Sequence, residues 1–451
     1  MNRDKLDFGN GRIDELFKAL FFPTLVGMVF NSLLNICDGM FVGHGVGSNG
    51  LAAINIVAPL FLVCTGVGLM FGIGASVIGS IRLAENNVKA ARIIMTQAYI
   101  AGALIFGAVI LVSLLFTRPL LYMLGCSPLL EDLASDYLLW LLPGLMFFYL
   151  QCVGMMLIRL DGSPKYAMSV QIVAAVINIV LDWMMVFPMG MGIKGASIAT
   201  SLSCIIGGLM VLVYFLRFSD KLKFYRLKLS WKSLRLSLRN TAYMMKIGLA
   251  TFIAELSLGV MMVTGNFMFM AYLGEPGVAA YSIGCYLFPM IFSISNAVAQ
   301  ASQPIISFNY GAGQFQRVSQ ALRIALLTAC VCGVLISLGM WIGSPVLTHI
   351  FLSPSETAYG LAVGGLPVLG SCAIFFAINI TFIGYYQSRE LAGRSIVYML
   401  LRGIVFLVPG FILLPRIAGA TGLWLAIPTA EFLTLIVITA LYTTTRHRPA
   451  A

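Results

Sequence analysis

Four acids and one base fall inside long apolar runs of this 451-residue sequence: Asp38, Asp182, Glu255, Glu431 and Arg402. Charge at membrane depth is expensive, and by default such residues mark ion or solute pathways. Two of the acids have polar neighbours at helical spacing. Asn31, Asn35 and Asp38 follow i, i+4, i+7 and share one face, and Asn178 precedes Asp182 by one turn. Two carboxylates facing one another in a low-dielectric interior cannot both remain charged, so a proton or a cation must be held there. Carboxylate, amide and hydroxyl oxygens suit a small hard cation equally well. Proton and cation chemistry both fit, and a role confined to helix packing is the alternative. Arg402 is expected to pair with Glu255 or Glu431, or to reach the cytoplasmic surface about two turns away.

Membrane helices must hold these groups. Hydrophobic residues make up 60% of the chain and charged residues 10%, with a mean hydropathy of +0.95. Soluble domains carry about 25% charge, so a soluble enzyme, a nucleic-acid-binding domain and a disordered chain are all excluded. Twelve apolar segments stand between polar punctuations: 16–42, 51–79, 93–116, 136–158, 166–187, 195–216, 244–272, 278–305, 322–343, 360–386, 395–414 and 421–442. They are too long and too continuously apolar for barrel strands, which alternate over about ten residues. An all-α polytopic membrane protein is the expected class.

The net charge of +11 then describes orientation. With the N-terminus in the cytoplasm, 24 of the 28 Lys and Arg fall on the cytoplasmic side, and only Arg118, Lys194 and Arg416 lie outside. Both termini are therefore expected in the cytoplasm. The polar N-terminus carries no cleavable signal pattern. Trp140, Trp183, Trp341 and Trp424 fall towards outer span ends, as an aromatic belt requires. The nine cysteines form no CxxC pair and read as small buried apolar residues.

Sliding the chain on itself by 227 residues exposes a repeat. Seven of fifteen positions are identical between 47–61 and 274–288, among them Gly47/Gly274, and the same offset pairs Pro188/Pro415, Gly192/Gly419 and Gly195/Gly422. Six spans per half give both halves the same orientation, which is the parallel-repeat plan of transporters. The expected division is a first lobe over 1–217, a basic cytoplasmic linker over 218–240 and a second lobe over 241–451. The linker is either a plain solvated loop or a short amphipathic helix on anionic lipid. Across the offset, Asp38 meets Gly265, Asn178 meets Val405 and Asp182 meets Pro409, so the polar cluster belongs to the first half alone.

The stretches CDGMFVGHGVGSNGLAA (37–53), NIVLDWMMVFPMGMGIKGASIAT (178–200) and AVAQASQPIISFNYGAGQ (297–314) carry a resemblance. The chain is similar to the multidrug and toxic compound extrusion (MATE) family, and within it to the DinF-like bacterial branch. The resemblance implies twelve helices in two lobes forming a V around a central cavity. It implies an antiporter, with no enzymatic activity and no cofactor, that exports bulky, often cationic drugs by alternating access. An inward flow of H+ or Na+ would drive it. The branch has an Asp on helix 1, an Asn and an Asp on helix 5 and a Thr on helix 6, which map to Asp38, Asn178, Asp182 and Thr200. Its helix 1 Pro maps to Pro23, and a mid-helix Pro offers a hinge because it removes one backbone bond. The implied partners are small organic solutes and the lipid bilayer, with no nucleic acid, and the chain is expected to act as a monomer. A second family branch uses acids on helices 7 and 10; here helix 10 has none, and Glu255 lies about a turn before the aligned Gly259, so that site is not carried over.

Asn31, Asn35, Asn266, Tyr281, Gln300 and Gln303 are candidate polar residues of a substrate cavity, and Glu255, Arg402 and Glu431 form a candidate second-half polar cluster. The 24 methionines suit a promiscuous cavity or simple packing. His44 and His349 lie near outer span ends, where a pH-sensing role competes with none at all. The alternative function is a flippase for lipid-linked or polysaccharide precursors, disfavoured because only Arg402 could meet a pyrophosphate. An intramembrane aspartyl protease would need YD and GxGD motifs, whereas the contexts here are NICDGM and NIVLDW.

Overall fold

A computed structural model describes residues 6–228 and 230–446, without the side chains of residues 35, 36, 48, 51, 445 and 446. Every regular element among the described residues is helical. They are α1 (Ile13–Gly45), α2 (Ser48–Ala84), α3 (Val88–Leu115), α4 (Thr117–Met123), α5 (Glu131–Leu160), α6 (Pro164–Val186) and α7 (Gly192–Val213). A π-helical turn, Tyr214–Phe218, ends α7. Then come α8 (Trp231–Gly311), α9 (Phe315–His349), α10 (Thr357–Gly370), α11 (Cys372–Ser388), α12 (Ala392–Leu400) and α13 (Leu407–Arg446), with a second π turn, Leu401–Val405, between the last two.

Local chemistry sets several of these ends. Asn87 accepts from the Ala90 amide at 3.0 Å and starts α3, and Pro164 opens α6 where its missing N–H is not needed. Among the described residues, ten apolar helical segments are long enough to cross a bilayer. Two of them, Trp231–Gly311 and Ala392–Thr444, are broken by glycines at φ 65° (Gly274) and φ 56° (Gly419), and each therefore holds two spans. The polytopic helical class expected from composition is what the chain adopts.

Those breaks carry the repeat into the backbone. Gly47, the offset partner of Gly274, has φ 86°, and Gly192, the partner of Gly419, has φ 57°. All four occupy the left-handed region that only glycine enters without strain. The two compact units divide inside α8: one runs to Glu255 and includes Ser307–Phe315, the other holds Leu256–Ile306 and Gln316 onward. Linker 218–240 thus belongs to the first unit.

In the first unit α5 is the central post, packed against α2, α3 and α7. Glycine allows the closest approaches. A side chain at Gly144 would collide with the Ser201 backbone, and one at Gly208 with Phe147. Tyr149 is fully buried on the same helix and donates its hydroxyl hydrogen to the Ala98 carbonyl at 2.6 Å. Outward apolar residues such as Leu104, Phe267, Ile342 and Ile417 are strongly exposed, as lipid-facing positions are. Trp140, Trp183 and Trp341 share that exposure, but Trp424 departs from the expected belt. It is only 5% exposed, filling the notch at Gly365 and meeting Phe269 edge-on at 4.9 Å. Sequence position placed it at a span end; the absent side chain of Gly365 admits it to the core.

Candidate functional site

The first-half cluster assembles from three helices. α6 presents Asn178 and Asp182 one turn apart, both with no solvent exposure. α1 brings Asp38, and α7 brings Thr200. α6 packs along both α1 and α7. The approach is close because Gly45 would otherwise strike Val186, and Gly195 would strike Met185. Asn178 Nδ2 donates to Thr200 Oγ1 at 3.3 Å, while the Thr200 hydroxyl donates to Ala196 O at 3.0 Å.

What remains is a set of unpartnered acceptors. Asp38 Oδ1, both oxygens of Asp182 and Asn178 Oδ1 are buried without a hydrogen bond. The carboxyls of Asp38 and Asp182 interact with each other, and Asp182 also feels the Asp38 charge. No ion pair among the described residues reaches either one. Two ionised, unpaired carboxylates in such a place would cost several kcal/mol each, on the order of the buried-ion penalty. A proton or a small cation would relieve that cost, and the oxygen set of carboxylates, amide and hydroxyl fits a hard cation such as Na+.

Tyr137, on α5, stands within electrostatic reach of both carboxyls. Its backbone carbonyl accepts from Ser197 Oγ, which ties α5 to α7 beside the site. Nothing in EDLASDYLLW distinguishes this tyrosine from an interfacial one; its neighbours come from distant helices.

Pro23 is buried inside α1, about 22 Å along the helix axis from Asp38 at 1.5 Å per residue. Asn31 and Asn266 are exposed, Gln300 and Gln303 are buried, and the side chain of Asn35 lies outside the described residues. Tyr281 is fully packed, stacked on Phe269 at 4.5 Å with its hydroxyl donating to Met261 O at 3.0 Å. It occupies the space over Gly265, the repeat partner of Asp38. Where the first half has a polar socket, the second has an aromatic cluster of Phe269, Tyr281, Phe411 and Trp424.

Of the two partners considered for Arg402, it meets Glu431. Its Nε lies 3.0 Å from Oε1 and its Nη2 2.5 Å from the same oxygen, with both side chains buried. The guanidinium also lies over the Phe376 ring at 4.2 Å. Asn379 Nδ2 donates to Glu431 Oε2 at 2.9 Å and to Glu431 O at 2.8 Å, a partner the sequence reading missed although it is a lone amide in an apolar run. The arginine sits in the π turn before α13, a form common at functional or specially packed positions. Glu255 falls in the other compact unit, beside Gly66.

Regular elements that are all helical among the described residues, left-handed glycines repeated at one offset, and a buried polar socket define the class of polytopic membrane transporters. The MatE family profile matches residues 23–184 and 250–413, and the chain belongs to the MatE family. It is 24% identical over 411 residues to the multidrug export protein MepA of Staphylococcus saprophyticus, covering 91% of this chain and 89% of that one. It is 23% identical over 421 residues to MepA of Staphylococcus aureus MSSA476, covering 93% and 91%. Among solved structures, it resembles an outward-facing multidrug resistance MATE transporter of the MOP superfamily with a TM-score of 0.88 at 21% identity, over 96% of this chain and 97% of that one. A MOP superfamily transporter from Pyrococcus furiosus gives 0.87 at 21% identity, over 97% and 96%. The chain is a membrane transporter and not an enzyme.

Proposed function

We propose that this chain is a secondary antiporter exporting organic, often cationic and amphiphilic compounds across the bacterial inner membrane, driven by H+ or Na+ entering through Asp38, Asn178, Asp182 and Thr200. The observation that carries the reading is the set of unpartnered, buried oxygens on these residues, confined to one of two repeats that share a scaffold. The printed names of the relatives, multidrug export proteins, support the substrate class.

Binding of the ion from the outer side neutralises the carboxylates and removes the cost of burying them. Release towards the cytoplasm restores it. A state that holds the ion and a state that holds the substrate then exclude one another, which is all that exchange requires. Pro23 gives α1 a place to bend as Asp38 gains or loses its charge. A flippase reading asks for free cations that could meet pyrophosphate, and Arg402 is already paired with Glu431.

The test is transport by the full-length chain in proteoliposomes with independently imposed pH and Na+ gradients. Wild type should move a fluorescent cationic dye under one of the two gradients. Asp38→Asn and Asp182→Asn should fold and lose gradient-driven transport. Full export by both variants under an intact gradient would overturn the assignment.

A further inference from the structure

The basic linker is strapped down, and what it leaves outward has a definite pattern. The Asp161 carboxylate, just past α5, accepts the backbone N–H groups of Asp220, Lys221 and Leu222 at 3.0 Å each. Arg92 on α3 donates to Lys221 O at 2.8 Å, and Tyr225 N donates to Thr96 Oγ1 at 2.9 Å. Further on, Gln97 Nε2 donates to Ser237 Oγ at 2.9 Å and Gln97 Oε1 accepts from Asn240 Nδ2 at 3.0 Å. The segment is therefore held along the end of α3 rather than hanging free.

The first turns of α8 divide into three sectors. Ser237, Asn240, Met244 and Ile247 (i, i+3, i+7, i+10) face the protein, through the bonds to Gln97 and through the burial of the last two. Trp231, Leu234, Leu238 and Met245 form an outward apolar stripe, with Trp231 82% and Leu238 64% exposed. Lys232, Arg235, Arg239 and Lys246 form a parallel exposed basic stripe. Between Asp220 and Glu255 the chain holds eight Lys and Arg and no acid. An apolar stripe beside a basic one is the pattern of a helix seated at the headgroup boundary.

We propose that residues 221–228 and 231–246 form a docking surface for anionic phospholipid headgroups on the cytoplasmic leaflet. The occupant is argued from charge and continuity. α8 runs on from this segment into a membrane span, which sets its first turns at headgroup height. Phosphate-bearing lipids would complement the basic stripe, while Trp231 and Leu238 would enter the acyl boundary beside it. The inference rests on the orientation that puts 218–240 in the cytoplasm and is independent of the ion site. Asp38→Asn should therefore dock as wild type does even where transport is lost.

Trp231 is the reporter. Full-length protein is reconstituted in phosphatidylcholine vesicles with increasing brominated phosphatidylglycerol, or with brominated phosphatidylcholine at the same fractions. The Trp231 signal is taken as the difference between wild type and Trp231→Phe. Brominated phosphatidylglycerol should quench at lower mole fraction, and added salt should remove the difference. Each surface cation contributes up to about fivefold in apparent lipid affinity. K232Q/R235Q/R239Q should therefore shift the phosphatidylglycerol midpoint upward by tenfold or more, within the roughly hundredfold that three such cations allow. The charge-conserving K232R/R235K/R239K should keep the wild-type midpoint, which separates lost charge from misfolding. Equal quenching by the two lipids at low salt, or an unshifted midpoint in the glutamine variant, would overturn the proposal and leave the surface to a soluble acidic partner.

Discussion

Glu431→Gln should be among the most destabilising single changes in the second unit. Arg402 reaches Glu431 Oε1 with Nε at 3.0 Å and Nη2 at 2.5 Å, both side chains being only a few per cent exposed. Removing the carboxylate charge leaves the guanidinium without its counter-charge, and an uncompensated buried charge of this kind costs about 3–5 kcal/mol. The Phe376 ring at 4.2 Å offsets part of that, by about 2 kcal/mol at most. Arg402→Met should cost less, about 2 kcal/mol, because the remaining carboxyl still accepts from Asn379 Nδ2 and only its other oxygen is left without a partner. The double variant Arg402→Met/Glu431→Leu should be close to wild type, since well-packed apolar replacements of buried pairs are often neutral. Asn379 then still has the main-chain carbonyl of residue 431, which it meets at 2.8 Å. A double-mutant cycle of Arg402→Met and Glu431→Leu, read by thermal unfolding in detergent, should return a coupling of about 5 kcal/mol, the sum of the two single losses less the near-zero loss of the double. A Glu431→Gln protein as stable as wild type would refute the reasoning, and so would a double variant no better than its worse parent. Export supplies a second readout. A structural pair predicts transport that falls only with the folded fraction, so an Arg402→Gln protein of full stability and no transport would give this pair a part in the cycle instead.

Gly274→Ala and Gly419→Ala should each lower stability by about 1–2 kcal/mol, because they force a Cβ into left-handed backbone, and Gly47→Ala and Gly192→Ala should match them; melting of the four purified variants checks it. Asp161→Ala should free the chain after Phe218, which trypsin would report as faster cleavage at Lys221 and Lys223, with the membrane helices intact. Before α1, the side-chain hydrogen bond from Asn10 is the main cause that holds the Asp7 carboxyl below its ordinary range, helped by the Gly9 and Asn10 amides. A group depressed on folding stabilises above its unfolded value and loses that contribution as pH falls through the folded one. Hydrogen exchange at Gly9 and Asn10 should therefore show protection that is present at neutral pH and lost under acid conditions below the ordinary aspartate range.

Periodic and costly features were legible in the sequence. A match at one offset over two distant stretches reported the duplication, and the same offset pairs the left-handed glycines of the backbone. Asp38, Asn178 and Asp182 could be singled out because a polar side chain in an apolar run is a local anomaly that needs no knowledge of its surroundings. Partners chosen by packing could not be found this way. Tyr137 joins the site only because α5 packs against α6 and α7, and Trp424 turns inward only because Gly365 leaves a notch. In helices apolar on every face, hydrophobicity does not tell lipid from core, so neither the burial of Tyr281 nor the exposure of Asn266 was readable. Arg402 was left with two acidic candidates by sequence, and proximity in space selected Glu431.

The pair of carboxylates in the first half also sets a thermodynamic ceiling on the proposed cycle. Two acids can be neutralised by no more than two elementary positive charges, and the position of the second repeat that aligns with Asp38, Gly265 under the Tyr281 ring, adds none. Each net charge moved inward is worth about 2.3 kcal/mol per 100 mV, or roughly a 50-fold concentration ratio. With two charges entering per monovalent cation expelled, one net charge draws on the membrane potential. A substrate carrying two positive charges would cancel that current, and its export would depend on the chemical gradient of the coupling ion alone.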